Sequence, residues 1–127
     1  MPAYDSALFT PPAPLARVAL RNPENGTMQT DVPMLLDTGA DVSLIPQASI
    51  NLLGLATVAD TQYELVGFNG GSSFTQVVRL NLIFLERTFR GQFLLTDQDW
   101  GILGRNILNA VPLLFDGPRL IWELSTP

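Results

Sequence analysis

The clearest candidate for chemistry is an acidic residue at the end of an apolar stretch. Leu35 and Leu36 are followed directly by Asp37, Thr38 and Gly39. A carboxylate at the end of a buried strand is taken partly out of water, and such an environment prepares an acid for proton transfer. The same tripeptide is also a common way to leave a strand through an Asx turn. The motif alone therefore leaves a catalytic and a purely structural interpretation open.

The residue types that the chain lacks narrow the possible chemistry. Its 127 residues include no His and no Cys, and all seven basic residues are Arg. These absences exclude Ser–His and Cys–His nucleophiles, lysine Schiff bases and the usual zinc sites. Acid–base chemistry would have to come from the twelve Asp and Glu residues, the two Tyr or a bound cofactor that the sequence does not reveal. The sequence predicts neither a metal nor a cofactor.

Charge and hydropathy limit the partners. The formal net charge is −5, and nucleic-acid binding relies on clustered cations, so we expect no nucleic-acid partner. No apolar run reaches the roughly 18 residues that span a bilayer, and the N-terminus lacks the pattern of a signal peptide. We therefore expect a soluble, cytoplasmic chain without a membrane segment.

Strand patterns and turn residues predict one all-β domain with one or two short helices. Residues 1–16 are rich in proline and are interpreted as an extended arm or linker, with the domain spanning 17–127. A turn over 22–26 and a turn at Asp116–Gly117 each predict a hairpin. Short helices are expected after Pro46, ending at Gly54, and over 105–110. The predicted strands lie in ARVALR, TMQTDVPMLLD, QYELVGF, FTQVVRLNLIFL, RTFRGQFLLTD and the two halves of LLFDGPRLIWEL.

Three ordered segments carry a resemblance to a known family. The stretch LLDTGADVSLIP, residues 35–46, resembles the active-site segment of retroviral-type aspartic proteases. Residues 102–108, ILGRNIL, resemble the segment that leads into the helix of that family, and residues 67–71, GFNGG, resemble the tip of its flap. Together the matches cover most of the chain from residue 17 to 124, and three matches in order are far more specific than one.

The resemblance implies a single-lobe, retropepsin-like closed barrel that acts as a two-fold homodimer. The chain holds only one Asp-Thr-Gly, so the second Asp37 of the catalytic pair would come from a second copy. In the family, the hydroxyl that matches Thr38 bonds across the dimer, and the backbone at Gly39 lets the peptide approach closely. In the family, the residues that match Asp41 and Arg105 form an ion pair that braces the catalytic loop against the helix, so the resemblance implies the same pair here.

The resemblance also implies a substrate groove, closed by a mobile flap and lined by residues from three parts of the chain. Trp100 is bulky for that place and is equally compatible with a core or interface position. The candidate substrate-binding residues are Ala40, Asp41, Gly67, Phe68, Asn69, Gly70, Gly71, Trp100 and Ile102.

The function implied is that of an aspartic endopeptidase, which cuts between hydrophobic residues with a water activated by the two Asp37 carboxylates. One alternative is a catalytically silent peptide-binding or dimerisation module on the same fold. Another is a monomeric β-barrel that binds a small molecule. The strand pattern after residue 112 resembles the C-terminal hairpin of cellular and bacterial members, and leaves open whether Trp122 belongs to the dimer or to the monomer core.

Overall fold

The computed structural model describes residues 2–58, 62–66 and 71–125. Within these residues the chain forms short and long strands and two short helices. In chain order they are β1 (Tyr4–Asp5), β2 (Ala13–Arg21), β3 (Met28–Leu36), β4 (Leu44–Pro46), α1 (Gln47–Leu53), β5 (Gln62–Val66), β6 (Ser72–Phe84), β7 (Arg87–Thr96), β8 (Gly101–Leu103), α2 (Arg105–Leu108), β9 (Leu113–Asp116) and β10 (Ile121–Leu124).

Six strands close into a barrel. They are hydrogen-bonded in the order β2, β3, β8, β4, β7 and β6, and β6 returns to β2 through the pairing of Leu20 with Leu82. The pairs β3–β8 and β4–β7 are parallel. β1 and β5 extend β2 and β6, while β9 and β10 form a separate two-stranded sheet. The all-β closed barrel with two short helices, expected from the sequence, is confirmed.

The barrel interior is filled by aliphatic side chains that alternate with outward-facing residues along each strand, as the two-residue period of a strand requires. Both helices add apolar side chains to the same cluster. The largest fully buried side chains are Phe84, Leu20, Met34, Ile45, Ile50, Leu53, Leu80, Leu82, Leu103, Val18, Val77 and Val78.

The short helix α1 begins and ends as its flanking residues predict. Pro46 lies one position before the helix, where its missing N–H leaves no donor unpaired. Gly54 ends the helix with φ of 67°, and its N–H donates to the carbonyl of Asn51. Neither helix of the described residues is long and apolar enough to cross a membrane.

The turn between β2 and β3 is anchored by a buried amide. The N–H of Gly26 donates to the carbonyl of Asn22 at 2.9 Å. The Asn22 side chain is buried and donates through Nδ2 to the carbonyl of Leu53 at 3.0 Å. The predicted hairpin is therefore present, and its turn also holds the end of α1.

The N-terminal segment is part of the domain, and the expectation of an extended arm over residues 1–16 is wrong. β1 pairs with the first residues of β2, so the expected boundary at residue 17 falls inside β2. The N–H of Tyr4 donates to the carbonyl of Leu120 at 2.8 Å, and that of Trp122 donates to the carbonyl of Pro2 at 3.1 Å. These partners lie at the other end of the chain, so a local pattern of prolines could not reveal them.

The C-terminal hairpin has a longer loop than the Asp116–Gly117 turn predicted from the sequence. Asp116 pairs with Ile121, which leaves four residues, 117–120, in the loop. In a two-residue turn centred on Asp116 and Gly117, Pro118 would have to donate the N–H that closes the turn, and proline has none. Instead, Asp116 accepts the N–H of Arg119 at 3.2 Å, and Leu120 takes φ of 54°.

Trp122 belongs to the core of the single chain. Its side chain is 2% exposed, and its ring lies 5.9 Å from that of Phe84, centroid to centroid. The indole Nε1 donates to the carbonyl of Leu15 at 3.1 Å. The C-terminal hairpin is thus attached to β2 by an indole that combines apolar burial with one directed hydrogen bond.

We expect Trp122→Ala to lower the free energy of unfolding by about 3–5 kcal/mol, because it removes a buried aromatic side chain. Trp122→Phe should cost less, about 1–2 kcal/mol, since it mainly leaves the Leu15 carbonyl without its donor. Urea unfolding measures both, with Leu52→Ala, at an exposed leucine of α1, as the control. Equal losses for Trp122→Ala and the control would contradict this assignment.

Candidate active site

Asp37 lies at the point where the parallel strands β3 and β8 end side by side. Leu36, the last residue of β3, pairs with Leu103, the last residue of β8. The N–H of Asp37 then donates to the carbonyl of Leu103 at 3.0 Å. The backbone of the acid is therefore fixed by the sheet itself.

The loop after Asp37 folds back onto the carboxylate. Gly39 donates its N–H to Oδ1 of Asp37 at 2.9 Å, and Ala40 donates to the Asp37 carbonyl at 3.2 Å. The Asp37 side chain is half-buried, while Thr38 and Gly39 are exposed. The Asx turn considered from the sequence is present, and it holds an acid whose carboxylate reaches the surface. The structural and catalytic interpretations of this tripeptide are therefore compatible.

A glycine after β8 lets the catalytic loop pack directly on the barrel. A Cβ at Gly104 would lie 2.8 Å from the carbonyl oxygen of Ala40 and closer still to that of Val42. Backbone atoms cannot move aside as a flexible side chain can, so this position requires glycine for space. The next residue, Arg105, donates its N–H to the Ala40 carbonyl at 2.8 Å.

Ser43 and Asn106 complete the support of the loop, and the sequence analysis did not identify them. Ser43 is 1% exposed; its hydroxyl donates to Oδ1 of Asn106 at 2.7 Å and accepts the N–H of Gly104 at 3.0 Å. A buried serine two residues after Asp41, in an otherwise apolar stretch, was the available signal, because a buried hydroxyl needs a partner.

The predicted ion pair of Asp41 and Arg105 is not formed. Among the described residues, the only ion pair within 4.0 Å joins Arg119 and Asp116. Arg105 instead donates from Nη1 to the carbonyl of Thr38 at 2.8 Å. Its guanidinium still braces the catalytic loop, but through a backbone carbonyl, while the exposed Asp41 carboxylate stays in water, where a surface ion pair contributes little.

Two of the predicted groove residues lie in elements that adjoin Asp37, one in its own loop and one on β8. Ala40 and Ile102 are half-buried, and Ile102 pairs with Leu35 in the sheet. Trp100 precedes β8, and its ring meets that of Phe9 edge to face, with centroids 4.9 Å apart. The indole is therefore covered in part by the N-terminal segment.

The predicted flap falls on the hairpin of β5 and β6. Val66 pairs with Ser72, and residues 67–70 at its tip lie outside the described residues. The Thr75 hydroxyl donates to the carbonyl of Leu95 at 2.9 Å and accepts its N–H at 3.2 Å. The Thr75 hydroxyl thus takes the place of a pair of backbone hydrogen bonds between strands, at the point where the β5–β6 hairpin leaves the barrel.

A cleft of about 520 Å³ lies under this hairpin. It is lined by Leu44 of β4, Leu65 of β5, Thr75 of β6 and Asp97, which follows β7. Leu44 also pairs with Ile102, so the cleft adjoins the strand that supports Asp37. Its mixed apolar and polar lining and its open shape are compatible with an extended polypeptide segment.

We expect Gly104→Ala to lower the free energy of unfolding by at least about 3 kcal/mol, because its Cβ would overlap backbone atoms of the catalytic loop. Gly91→Ala is the matched control, since a Cβ at Gly91 meets nothing within 4 Å. It should change stability by less than about 0.5 kcal/mol. Urea unfolding compares the two, and similar values would refute the role of Gly104.

Comparisons with known proteins agree with this architecture. Residues 24–107 match the model of a family described as aspartyl protease. The EIAV protease, solved in complex with the inhibitor HBY-793, shares 28% identity over 77% of this chain and 86% of its own, with a TM-score of 0.57. The simian foamy virus (mac) protease, at 15% identity and a TM-score of 0.51, covers 75% of this chain and 91% of its own and shares the fold.

No curated protein matched the chain. The family model nevertheless spans well over half of it and includes the Asp-Thr-Gly loop, Gly104 and most of α2. With the closed barrel and the retroviral proteases as structural neighbours, this match shows that the chain belongs to the aspartyl protease family and has a retropepsin-like fold.

Proposed function

We propose that the protein is an aspartic endopeptidase whose active site is completed by a second copy of the chain. The observation that carries the proposal is the position of Asp37. Its backbone is fixed by β8, and its carboxylate is oriented by the Gly39 N–H in a loop exposed to solvent. In a chain of the aspartyl protease family, this is the arrangement that a water-activating acid needs.

One carboxylate is not enough for this chemistry. Aspartic proteases, the standard example of a coupled dyad, use two nearby carboxyl groups that share one proton because both cannot ionise at short distance. This chain has a single Asp-Thr-Gly. Thr38 is exposed beside Asp37, and no described residue bonds to its hydroxyl, so that hydroxyl is available to a partner. A two-fold axis next to the loop would supply the second Asp37.

The C-terminal hairpin provides an apolar surface for such a dimer. Leu114, Phe115 and Leu120 are 50%, 39% and 44% exposed, although each is large and apolar. Leu114 and Phe115 lie on β9 and Leu120 on the loop that connects it to β10, in a two-stranded sheet separate from the sheet of the barrel. Leu114 and Phe115 point to opposite sides of β9, but large exposed apolar side chains concentrated in one element are a feature of protein interfaces.

The proposed reaction proceeds without a covalent intermediate. The ionised Asp37 of the pair removes a proton from a water held between the two carboxyl groups, and this water attacks the carbonyl carbon of the peptide bond. The protonated Asp37 donates to the carbonyl oxygen, giving a tetrahedral intermediate. Its collapse passes a proton to the leaving nitrogen, breaks the C–N bond and leaves the pair with one proton again.

The groove residues favour apolar substrates. Ala40, Ile102 and Leu44 present aliphatic groups near Asp37 and the adjoining cleft. Closure of the β5–β6 hairpin, with Gly67, Phe68, Asn69, Gly70 and Gly71 at its tip, would exclude water and provide backbone hydrogen bonds to an extended peptide. We therefore propose cleavage between hydrophobic residues.

We expect Asp37→Asn to abolish cleavage of a mixed peptide library, because an amide can neither accept nor return the proton. Asp31→Asn is the matched control: it makes the same change on β3 at an exposed residue with φ of 57°, which asparagine tolerates. Mass spectrometry of the products at about pH 4 to 7 gives both the activity and the residues that flank each cut.

Activity should fall as pH rises, since a doubly ionised pair has no proton to donate. A rate that still increases towards about pH 9 would contradict the dyad. If the wild-type protein is dimeric, binds peptides and cuts none of them, the endopeptidase proposal fails, and the silent peptide-binding module becomes the better explanation.

We expect Leu114→Glu combined with Phe115→Glu to yield a folded monomer without activity, because burying two carboxylates in the apolar interface is unfavourable. Leu52→Glu, at a leucine that is 67% exposed on α1, is the control for charge. Sedimentation velocity gives the mass, and the same samples give the peptidase rate. A double variant that stays dimeric and active would place the interface elsewhere.

A further inference from the structure

A basic surface lies on the outside of the barrel, and its cleft shares no lining residue with the cleft under the β5–β6 hairpin. Arg21 of β2 pairs with Asn81 of β6, and Asn81 pairs with Arg90 of β7, so the three residues form one row across the sheet. In the next row, Arg79 pairs with Gln92. We call these five residues the basic face.

The side chains of the basic face point outward. Leu20, Leu80 and Leu82, which alternate with them along β2 and β6, are at most 1% exposed and fill the barrel. Successive side chains of a strand point to opposite sides, so the arginines on either side of these leucines face solvent. Arg21, Arg79 and Arg90 are all exposed.

No described acid neutralises these three guanidinium groups. The only ion pair among the described residues, Arg119 with Asp116, lies on the C-terminal hairpin. Arg79 and Arg90 are diagonal neighbours across β6 and β7, and their Cβ atoms are therefore roughly 7–8 Å apart. Their guanidinium groups carry like charges that repel, and an anion placed between them removes the repulsion.

The basic face also has a defined shape. A cleft of about 370 Å³ is lined by Arg79, Asn81, Arg90 and Gln92, with Pro23 at one side. With its amide oxygen turned towards Arg79, Gln92 accepts from Nε at 3.2 Å and from Nη2 at 3.1 Å. This contact holds one guanidinium in place, while its remaining donors and those of Arg90 stay available.

Three of the seven basic residues of a chain with net charge −5 thus lie together without counter-charges. We propose that the basic face binds an acidic segment of a polypeptide, outside the active site. Guanidinium groups bind carboxylates through two parallel hydrogen bonds, and the Asn81 amide offers a further donor. The choice of a polypeptide rests on the proposed endopeptidase function, whose substrates are polypeptides.

A nucleic acid fits this surface less well. Its backbone carries closely spaced phosphates along its whole length, and binding depends on many cations in a long array. Here only Arg79 and Arg90 line the cleft, and the rest of the chain carries a net negative charge that repels a long polyanion. A short acidic segment places its charges in the cleft alone.

The test measures binding without catalysis, so that its outcome is independent of the protease proposal. A labelled decapeptide of alternating Glu and Gly is titrated with the Asp37→Asn protein in low salt and followed by fluorescence anisotropy. The same peptide with Gln in place of Glu is the neutral probe. We expect the acidic peptide alone to bind, and its affinity to fall as salt is added.

Arg79→Gln and Arg90→Gln should each weaken binding of the acidic peptide by about tenfold, the loss expected when one charged hydrogen-bond donor is removed. Arg17→Gln is the matched control, because it removes one exposed arginine of β2 from a position that pairs with Pro33 of β3 and not with β6. It should change the affinity less than twofold. Thermal unfolding of each variant verifies that the fold is intact.

Two results would overturn the proposal. One is equal binding of the Glu and Gln peptides, or equal affinity of the Arg79→Gln and Arg17→Gln variants for the acidic peptide. The other is a ten-nucleotide single-stranded DNA that binds more tightly than the acidic peptide and loses affinity with the same two substitutions, which would make the surface a nucleic-acid site. Loss of peptidase activity in the Asp37 test affects neither measurement.

Discussion

The backbone contact between Gly104 and the catalytic loop is the constraint on which the rest of the site depends. Without a Cβ, Gly104 packs against the carbonyl groups of Ala40 and Val42. That approach brings the Gly104 N–H to the Ser43 hydroxyl and the Arg105 N–H to the Ala40 carbonyl. A side chain at this one position would push the loop outward and break both hydrogen bonds at once. The orientation of Asp37 therefore depends on the absence of a Cβ at Gly104.

The closed barrel limits the surfaces that the proposed second copy of the chain could use. β2 and β6 join to close the sheet, so neither strand has a free edge along the residues that pair. The proposed dimer would therefore use another surface, and the large exposed apolar side chains of the C-terminal hairpin are suited to that. The hairpin is in turn attached to the barrel by Trp122, so the proposed dimer surface and the core of the single chain share one element.

The sequence predicted those features whose cause is local. Gly54 ends α1 because glycine adopts positive φ, and the turn over 22–26 forms from its own side chains. It missed the features that depend on distant partners. The proline-rich N-terminus pairs with residues about 120 positions away, and Ser43 is explained by Gly104 and Asn106, some sixty residues further on. The Asp41–Arg105 prediction failed because Arg105 has a nearer acceptor, the Thr38 carbonyl.

The distribution of charge gives the two clefts different preferences. Asp97 lines the cleft under the β5–β6 hairpin, and Asp41 and Asp99 are exposed on loops. An acidic segment is therefore repelled from the cleft, while a neutral, apolar segment can enter. The basic face on β2, β6 and β7 has the opposite preference. Under the two proposals, an apolar stretch of a polypeptide enters the first cleft and an acidic stretch binds the basic face, so each surface selects a different part of the same polypeptide.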